Sequence, residues 1–359
     1  MIIDVYLQEI KQPVGVFYIG KMSSKHIIAI SRANPRSEGT GVQRDESMRR
    51  RKEIAMYCED PDATFPTPII LSLPSNDNTK LSKTDLTESA DIYKFTIDTS
   101  KGQIADVLDG QHRIGGISAS NIDIDLPIVV AFNLTKEQKA YIFATINGNQ
   151  TTVPKTLVYD LFELSRHRSP NKSCHEIARI MNSSEKSPFK GRLKMLPKRT
   201  DAMQTLSQGT FVTILRDELI SSIDQRDTID IKKGKKLQPD DKMVLRKYFI
   251  NDQDEVIVKI LLNCFNAVKE VFPQEWDDPN NFILTKSTGY SAIIKSLRTL
   301  IPVGEKMEEL SKQYFVGAFS KFKEFLSKNN KKLTSDFYSS NAAGEGKLAE
   351  DIIRSQNNI

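Results

Sequence analysis

The sequence predicts an α+β protein: a mixed α/β core over residues 1–152, a mostly α-helical lobe over 153–336, and a weakly held polar tail over 337–359. Short β-prone runs at 69–73, 93–97 and 126–132 alternate with helix-like segments in the first part. Beyond residue 153 the pattern changes, and apolar residues recur at spacings of three and four. At 359 residues the chain also exceeds the roughly 250–300 at which a single core stops growing, so two lobes are expected.

Taken in order, residues 13–20 read as a strand and 26–30 as the apolar side of a short element after it. The polar, Gly-containing stretch 32–41 is a loop that leads into a helix over 47–57. That helix carries Arg49, Arg50, Arg51 and Lys52 in its opening turns, where positive charge opposes the helix dipole. Either these are solvated charges partly paired with Asp45, Glu46 and Glu53, or they form a phosphate-binding surface using the forked arginine donors. Pro61 follows the helix, and 69–73 is a strand. Residues 74–88 read as an exposed connection, and 93–97 alternates as a half-buried strand.

The run Val107-Leu-Asp-Gly-Gln-His-Arg-Ile-Gly-Gly-Ile117 places polar groups and a glycine turn between apolar flanks. It reads as strand, tight turn and helix. The first turn of such a helix presents unpaired N–H groups and partial positive charge, so Gly110, Gln111, His112 and Arg113 make a candidate phosphate site. A solvated turn that merely caps a helix is the competing reading.

Residues 126–132 form a buried strand, and Thr135 with Gln138 three residues on is a capping pair for a helix ending at Asn147-Gly148. Asn147 and Gln150 can read a base edge or ribose, or Asn147 can simply cap the helix. Helices are expected over 155–165, 175–181, 205–221, 243–249, 255–271, 291–300 and 307–325. Lys232, Lys233, Lys235 and Lys236 surround a glycine; such a loop is either solvated surface or a grip on a DNA backbone. Lys286, Ser287, Thr288 and Gly289 precede a helix and lack Walker A spacing, so a structural turn is favoured over an anion cradle.

Asp109-Gly110-Gln111-His112-Arg113 followed by a small-residue helix resembles the signature of the DGQHR-domain family, which is similar in fold to the ParB/sulfiredoxin group. Gly41-Val-Gln-Arg44, Phe65-Pro-Thr-Pro68, Ile146-Asn-Gly-Asn-Gln150 and Lys286-Ser-Thr-Gly289 resemble further family segments in the same order. The resemblance implies a ParB/sulfiredoxin-like nucleotide-binding core in which Gln43 and Arg44 join the pocket. It also implies a role in bacterial DNA-modification islands. There DndB-like members accompany phosphorothioate modification and regulate its operon, and DpdB-like members accompany a transglycosylase-like partner that inserts 7-deazaguanine. Where sulfiredoxin-like proteins carry a catalytic cysteine, this chain has Gln111.

The resulting expectation is an NTP-hydrolysing (ATPase-like) accessory of the DpdB type that uses ATP and Mg²⁺. Arg113 and Arg44 would stabilise phosphate charge, His112 would bond phosphate or act as acid/base, and Asp109 would hold Mg²⁺ or position water. A DNA-binding regulator is the second reading, and a nicking nuclease drawing on Glu46, Asp98 and Asp106 the third. For DNA itself, Arg49, Arg50 and the four lysines at 232–236 are the candidate contacts; the net charge of +5 permits this without demanding it. Self-association is left open.

Cys58, Cys174 and Cys264 are far apart and form no zinc or disulfide pattern, and adjacent Cys174 and His175 would not face one another on a helix. With no basic leader and no apolar run near the ~18 residues of a membrane span, a reducing, cytoplasmic setting is expected.

Overall fold

A computed structural model describes residues 1–32, 48–76, 79–83, 91–120, 122–148, 167–195 and 201–356. The fold is α+β, and the chain divides into two compact units, Met1–Thr152 and Val153–Ile359.

The first unit is organised on an eight-stranded mixed sheet. Its elements are β1 (Ile2–Gln12), β2 (Gly15–Ser23), α1 (Ser24–Ile30), β3 (Ser31–Arg32), α2 (Met48–Tyr57), β4 (Ile69–Leu73), β5 (Thr79–Lys83), β6 (Ile92–Asp98), β7 (Ala105–Asp109), α3 (Gln111–Ser120), β8 (Asp125–Phe132) and α4 (Lys136–Gly148). The strand order is β3-β7-β4-β8-β2-β1-β6-β5, with β3 parallel to β7, β4 parallel to β8, and the other pairs antiparallel.

Alternation sends Val5 and Leu7 of β1, Phe95 and Ile97 of β6, Leu71 and Val130 to one face, where they pack with Ile27 and Ile30 of α1 and Ile117 of α3. The opposite face gathers Phe17, Leu108 and Ala131 around Ile142 of α4. Full burial of an aliphatic chain such as Ile117 contributes about 1.5–3 kcal/mol. At the start of α4 the two halves of a capping box are made: Gln138 N–H donates to Thr135 Oγ1 at 3.2 Å, and Thr135 N–H to Gln138 Oε1 at 2.9 Å.

Two strands depart from the sequence reading. β1 occupies the N-terminal segment, between β2 and β6. β5 lies within the stretch read as an exposed connection; it is an edge strand paired only to β6 among the described residues, so its outward side chains stay polar. The helix expected over 155–165 lies outside the described residues.

The second unit comprises α5 (Pro170–Ser183), β9 (Leu193–Lys194), β10 (Leu206–Ser207), α6 (Gln208–Leu215) with a π turn over Arg216–Ile220, α7 (Asp224–Lys232), α8 (Arg246–Ile250), α9 (Asp254–Val271), α10 (Pro273–Asp277), α11 (Ser287–Lys306), α12 (Lys312–Lys328) and α13 (Ala342–Arg354). Its core is aromatic: the Tyr290 ring stacks on Phe211 at 4.8 Å and on Phe265 at 5.7 Å, and Phe189 meets Trp276 edge-on at 5.1 Å. Arg246 and Asp227 form a buried pair at 2.6 Å that ties α8 to α7.

Two expectations for this unit are corrected. Over its described residues, 337–356, the expected weakly held tail is a docked segment: α13 buries Leu348, Ala349 and Ile352, and Asp351 accepts from Lys331 at 2.6 Å and from Tyr338 at 2.8 Å. Its polar residues hid a narrow apolar stripe at helical spacing. α11 continues through Pro302 to Lys306, and α12 starts at Lys312 with Ser311 as its cap rather than at 307; Glu308, at φ 54°, turns the chain between them.

Candidate functional site

β7 carries an irregularity just before it ends. Ile70 of β4 pairs with Asp109 while Leu71 pairs with Val107, so Leu108 is the extra residue of a bulge. Leu108 is buried in the α4-side core, and the bend re-aims Asp109. Gly110 follows at φ 98°, a backbone conformation that favours glycine, and a Cβ there would lie 2.4 Å from Ile69 Cδ1, so that side chain would have to shift. α3 then starts at Gln111. Its first bond runs from Ile114 N–H to the Gly110 carbonyl at 3.0 Å, so the N–H groups of His112 and Arg113 lie in the first turn, where the helix supplies no acceptor.

Arg113 closes this turn into a bracket. Its Nη2 donates to Asp109 Oδ2 at 2.8 Å and to the Pro68 carbonyl at 3.0 Å; Nη1 donates to Thr67 Oγ1 at 2.7 Å and also to the Thr67 carbonyl. Burial pulls the guanidinium below its ordinary pKa, and the Asp109 carboxylate opposes that pull. The arginine expected to face phosphate therefore spends both terminal nitrogens on holding the β7–α3 turn against the segment before β4. Thr67 is thus an acceptor that holds this turn. His112, next in the turn, has a buried Nδ1 with no hydrogen-bond partner among the described residues.

α2 crosses α3 at Gly115-Gly116. A Cβ on Gly116 would lie 2.4 Å from Ile54 Cγ2, and Arg51 Nε donates to the Gly115 carbonyl at 3.0 Å. Part of the basic cluster at the start of α2 is thus accounted for: Arg51 tethers the two helices, and Arg49 pairs with Glu53 at 2.8 Å while staying 87% exposed. Arg50 lies on the exposed part of the same helix.

Asp106, on β7, accepts from Arg32 at 2.7 Å and Lys139 at 2.6 Å, joining β3 and α4 to the strand that delivers the turn. Burial pushes its carboxyl up, but the bonds from Lys139 and Arg32 prevail and hold it below the usual carboxylate range. Asp98 instead caps the turn at Ser100. Among the described residues no three His, Cys, Asp or Glu side chains group to hold a metal. A Mg²⁺ ion fits this turn only as part of a metal–nucleotide complex, with Asp109, already bonded to Arg113 through one oxygen, as its protein carboxylate.

Gln43, Arg44, Glu46 and Gln150, with the side chain of Asn147, lie outside the described residues. Lys232 closes α7, Lys233 caps it, and Lys235 and Lys236 are exposed beyond Gly234 at φ 68°; Lys235 lies 3.8 Å from Asp230. Cations at a helix C-terminus complement its dipole, which explains Lys232 and Lys233 without a ligand. These lysines belong to the second unit and the turn to the first. Sequence reasoning missed Arg32, Lys139 and the Gly115-Gly116 crossing. The glycine pair inside a helix was the one available signal. The three cysteines are buried and free, and among the described residues no helix is long and apolar enough to cross a membrane. Compared with protein families, curated proteins and solved structures, the chain matches none.

Proposed function

We propose that the first unit binds a nucleoside triphosphate through its phosphates at the Gly110–Arg113 turn and hydrolyses it. The observation that carries this is the strand–glycine–helix start, with the first-turn N–H groups of His112 and Arg113 beside the buried Nδ1 of His112, which has no hydrogen-bond partner among the described residues. In this reading the amides of His112 and Arg113 hold a phosphate and the His112 side chain bonds the transferring group or takes the proton of the attacking water. The bond from the γ-phosphorus to the bridging oxygen breaks, and the diphosphate leaves. Arg113 is a positioning residue that keeps Asp109 and the turn in place. Mg²⁺ supplies charge neutralisation on the phosphates when bound.

The DNA-modification setting, of the DpdB-like type with a transglycosylase-like partner, rests on the motif resemblance; Arg49, Arg50 and Lys232, Lys233, Lys235 and Lys236 are its proposed DNA contacts. A second reading, a DndB-like DNA-binding regulator without turnover, is favoured by the mutual commitment of Asp109 and Arg113, which leaves His112 as the turn's one charged-capable side chain without a bond to that bracket.

The test is phosphate release from each NTP with Mg²⁺, with and without duplex DNA, for wild type and His112→Ala. Turnover reduced at least about tenfold in the variant, with an unchanged melting temperature, supports hydrolysis at the turn. Full turnover in His112→Ala would refute it, and no turnover in the wild type together with sequence-specific DNA binding selects the regulator.

A further inference from the structure

The second unit contains a cavity of about 400 Å³ whose lining includes Lys194 of β9, Gln204, Thr205, Ser207, and Lys286 and Ser287 at the start of α11. The two lysines come from separate segments and border one space, and among the described residues no carboxylate lines it. Among the described residues neither lysine forms an ion pair; Asp278 acts on Lys286 through charge alone. Two cations sharing a cavity repel each other unless an anion lies between them.

The backbone adds to the same field. α6 starts at Gln208, one residue after the lining Ser207, which caps the Thr210 N–H at 3.1 Å. α11 starts at Ser287 without a side-chain cap, and its first bond joins Tyr290 N–H to the Lys286 carbonyl at 3.0 Å. The N–H groups of 287–289 therefore lack intrahelical acceptors. The starts of two helices and two lysines thus contribute to the lining of one small space.

The rest of the lining narrows the ligand. Leu206 is its single apolar residue and no aromatic ring is present, so a nucleobase has no face to stack on. Thr205 Oγ1 donates to the Thr285 carbonyl at 2.7 Å, and Ser207 Oγ and Thr210 Oγ1 bond each other at 2.8 Å; hydroxyl oxygens engaged in this way keep lone-pair capacity to accept from a hydroxyl-bearing body. The volume lies within the ~300–1,000 Å³ of small-molecule sites. We propose that this cavity binds a sugar phosphate, its phosphomonoester between Lys194 and Lys286 and its hydroxyls on the Thr205–Thr210 side. The site lies within the second unit, and the inference is independent of the reading of the Gly110 turn.

The experiment is calorimetric titration of the full chain with ribose 5-phosphate, inorganic phosphate and a single-stranded oligonucleotide. The variants are Lys194→Gln, Lys286→Gln and, as a control for charge alone, the exposed Lys328→Gln; melting curves verify that each folds. Ribose 5-phosphate should bind the wild type more tightly than inorganic phosphate. Each cavity substitution should weaken it by about tenfold, as loss of one charge-assisted contact does, and Lys328→Gln should leave it unchanged. No binding by the wild type, or binding indifferent to both cavity substitutions, overturns the proposal. Equal affinity for inorganic phosphate overturns the sugar phosphate assignment in favour of a bare anion. Lysine-dependent binding of the oligonucleotide without ribose 5-phosphate binding overturns it in favour of a nucleic-acid backbone.

Discussion

Two helices in this protein start at a glycine-containing turn, α3 after Gly110 and α11 around Gly289, and they are held in opposite ways. The α3 start is held by charge: Arg113 reaches back to Asp109, Thr67 and Pro68. The α11 start is held by packing: a Cβ on Gly289 would lie 2.4 Å from the Ile283 carbonyl oxygen, and Tyr290 sinks into the aromatic core. The difference teaches that a cation in a motif serves a ligand only when the scaffold does not need it. Packing leaves Lys286 beside a cavity with no ion pair among the described residues, whereas bracing consumes both terminal nitrogens of Arg113.

The largest expected effect tests the packed start. Tyr290→Ala removes a fully buried ring that stacks on two others, and should cost about 3–5 kcal/mol. The chain's single tryptophan, Trp276, lies in the same core, so its fluorescence in a urea titration reports this unit. A loss under about 1 kcal/mol would mean that packing is not what holds α11.

Next is the braced start. Arg113→Ala deletes bonds to Asp109, Thr67 and Pro68 and should destabilise the first unit by about 2–3 kcal/mol, read by limited proteolysis across a denaturant series. Arg113→Lys should recover little of this, because one ammonium cannot span acceptors matched to a planar fork. An Arg113→Ala protein of wild-type stability would return the arginine to the ligand.

Asp106→Asn sharpens the comparison through pH. The folded carboxyl is held below its unfolded value of about 3.9, so its contribution is present above that pH and lost as pH falls through the folded pKa. The variant should be less stable by about 1–2 kcal/mol at pH 7, and the gap should begin to narrow once pH falls below the unfolded value of about 3.9. Denaturant titrations of both proteins across a series from pH 7 downward check this; a gap that does not narrow at any acid pH where the wild type still folds would mean lost packing rather than lost charge.

The smallest effect belongs to Arg49. Its exposed pair with Glu53 should be worth no more than about 0.5 kcal/mol, so Arg49→Gln should leave the melting temperature nearly unchanged. If Arg49 touches DNA, the same variant lowers the salt dependence of binding without altering sequence preference.

Local patterns in the chain carried much of the fold. The β-prone run at 69–73, the alternation at 93–97, the Thr135–Gln138 capping box and the strand–Gly110–helix turn each follow from neighbours a few residues apart. The edge strand β5 and the helix α13 were obscured because polar residues dominate both, and what makes them structure is a partner far away in sequence. In the site, the sequence by itself determined that Gly110 must be a turn and that a cationic helix start follows it. Only the tertiary structure decided what the cations do: Arg113 closes on residues 67 and 68, Arg51 on Gly115, and Arg32 with Lys139 on Asp106. Backbone conformation is a local steric property, while the partner of a charged side chain depends on which distant segments the core brings within reach.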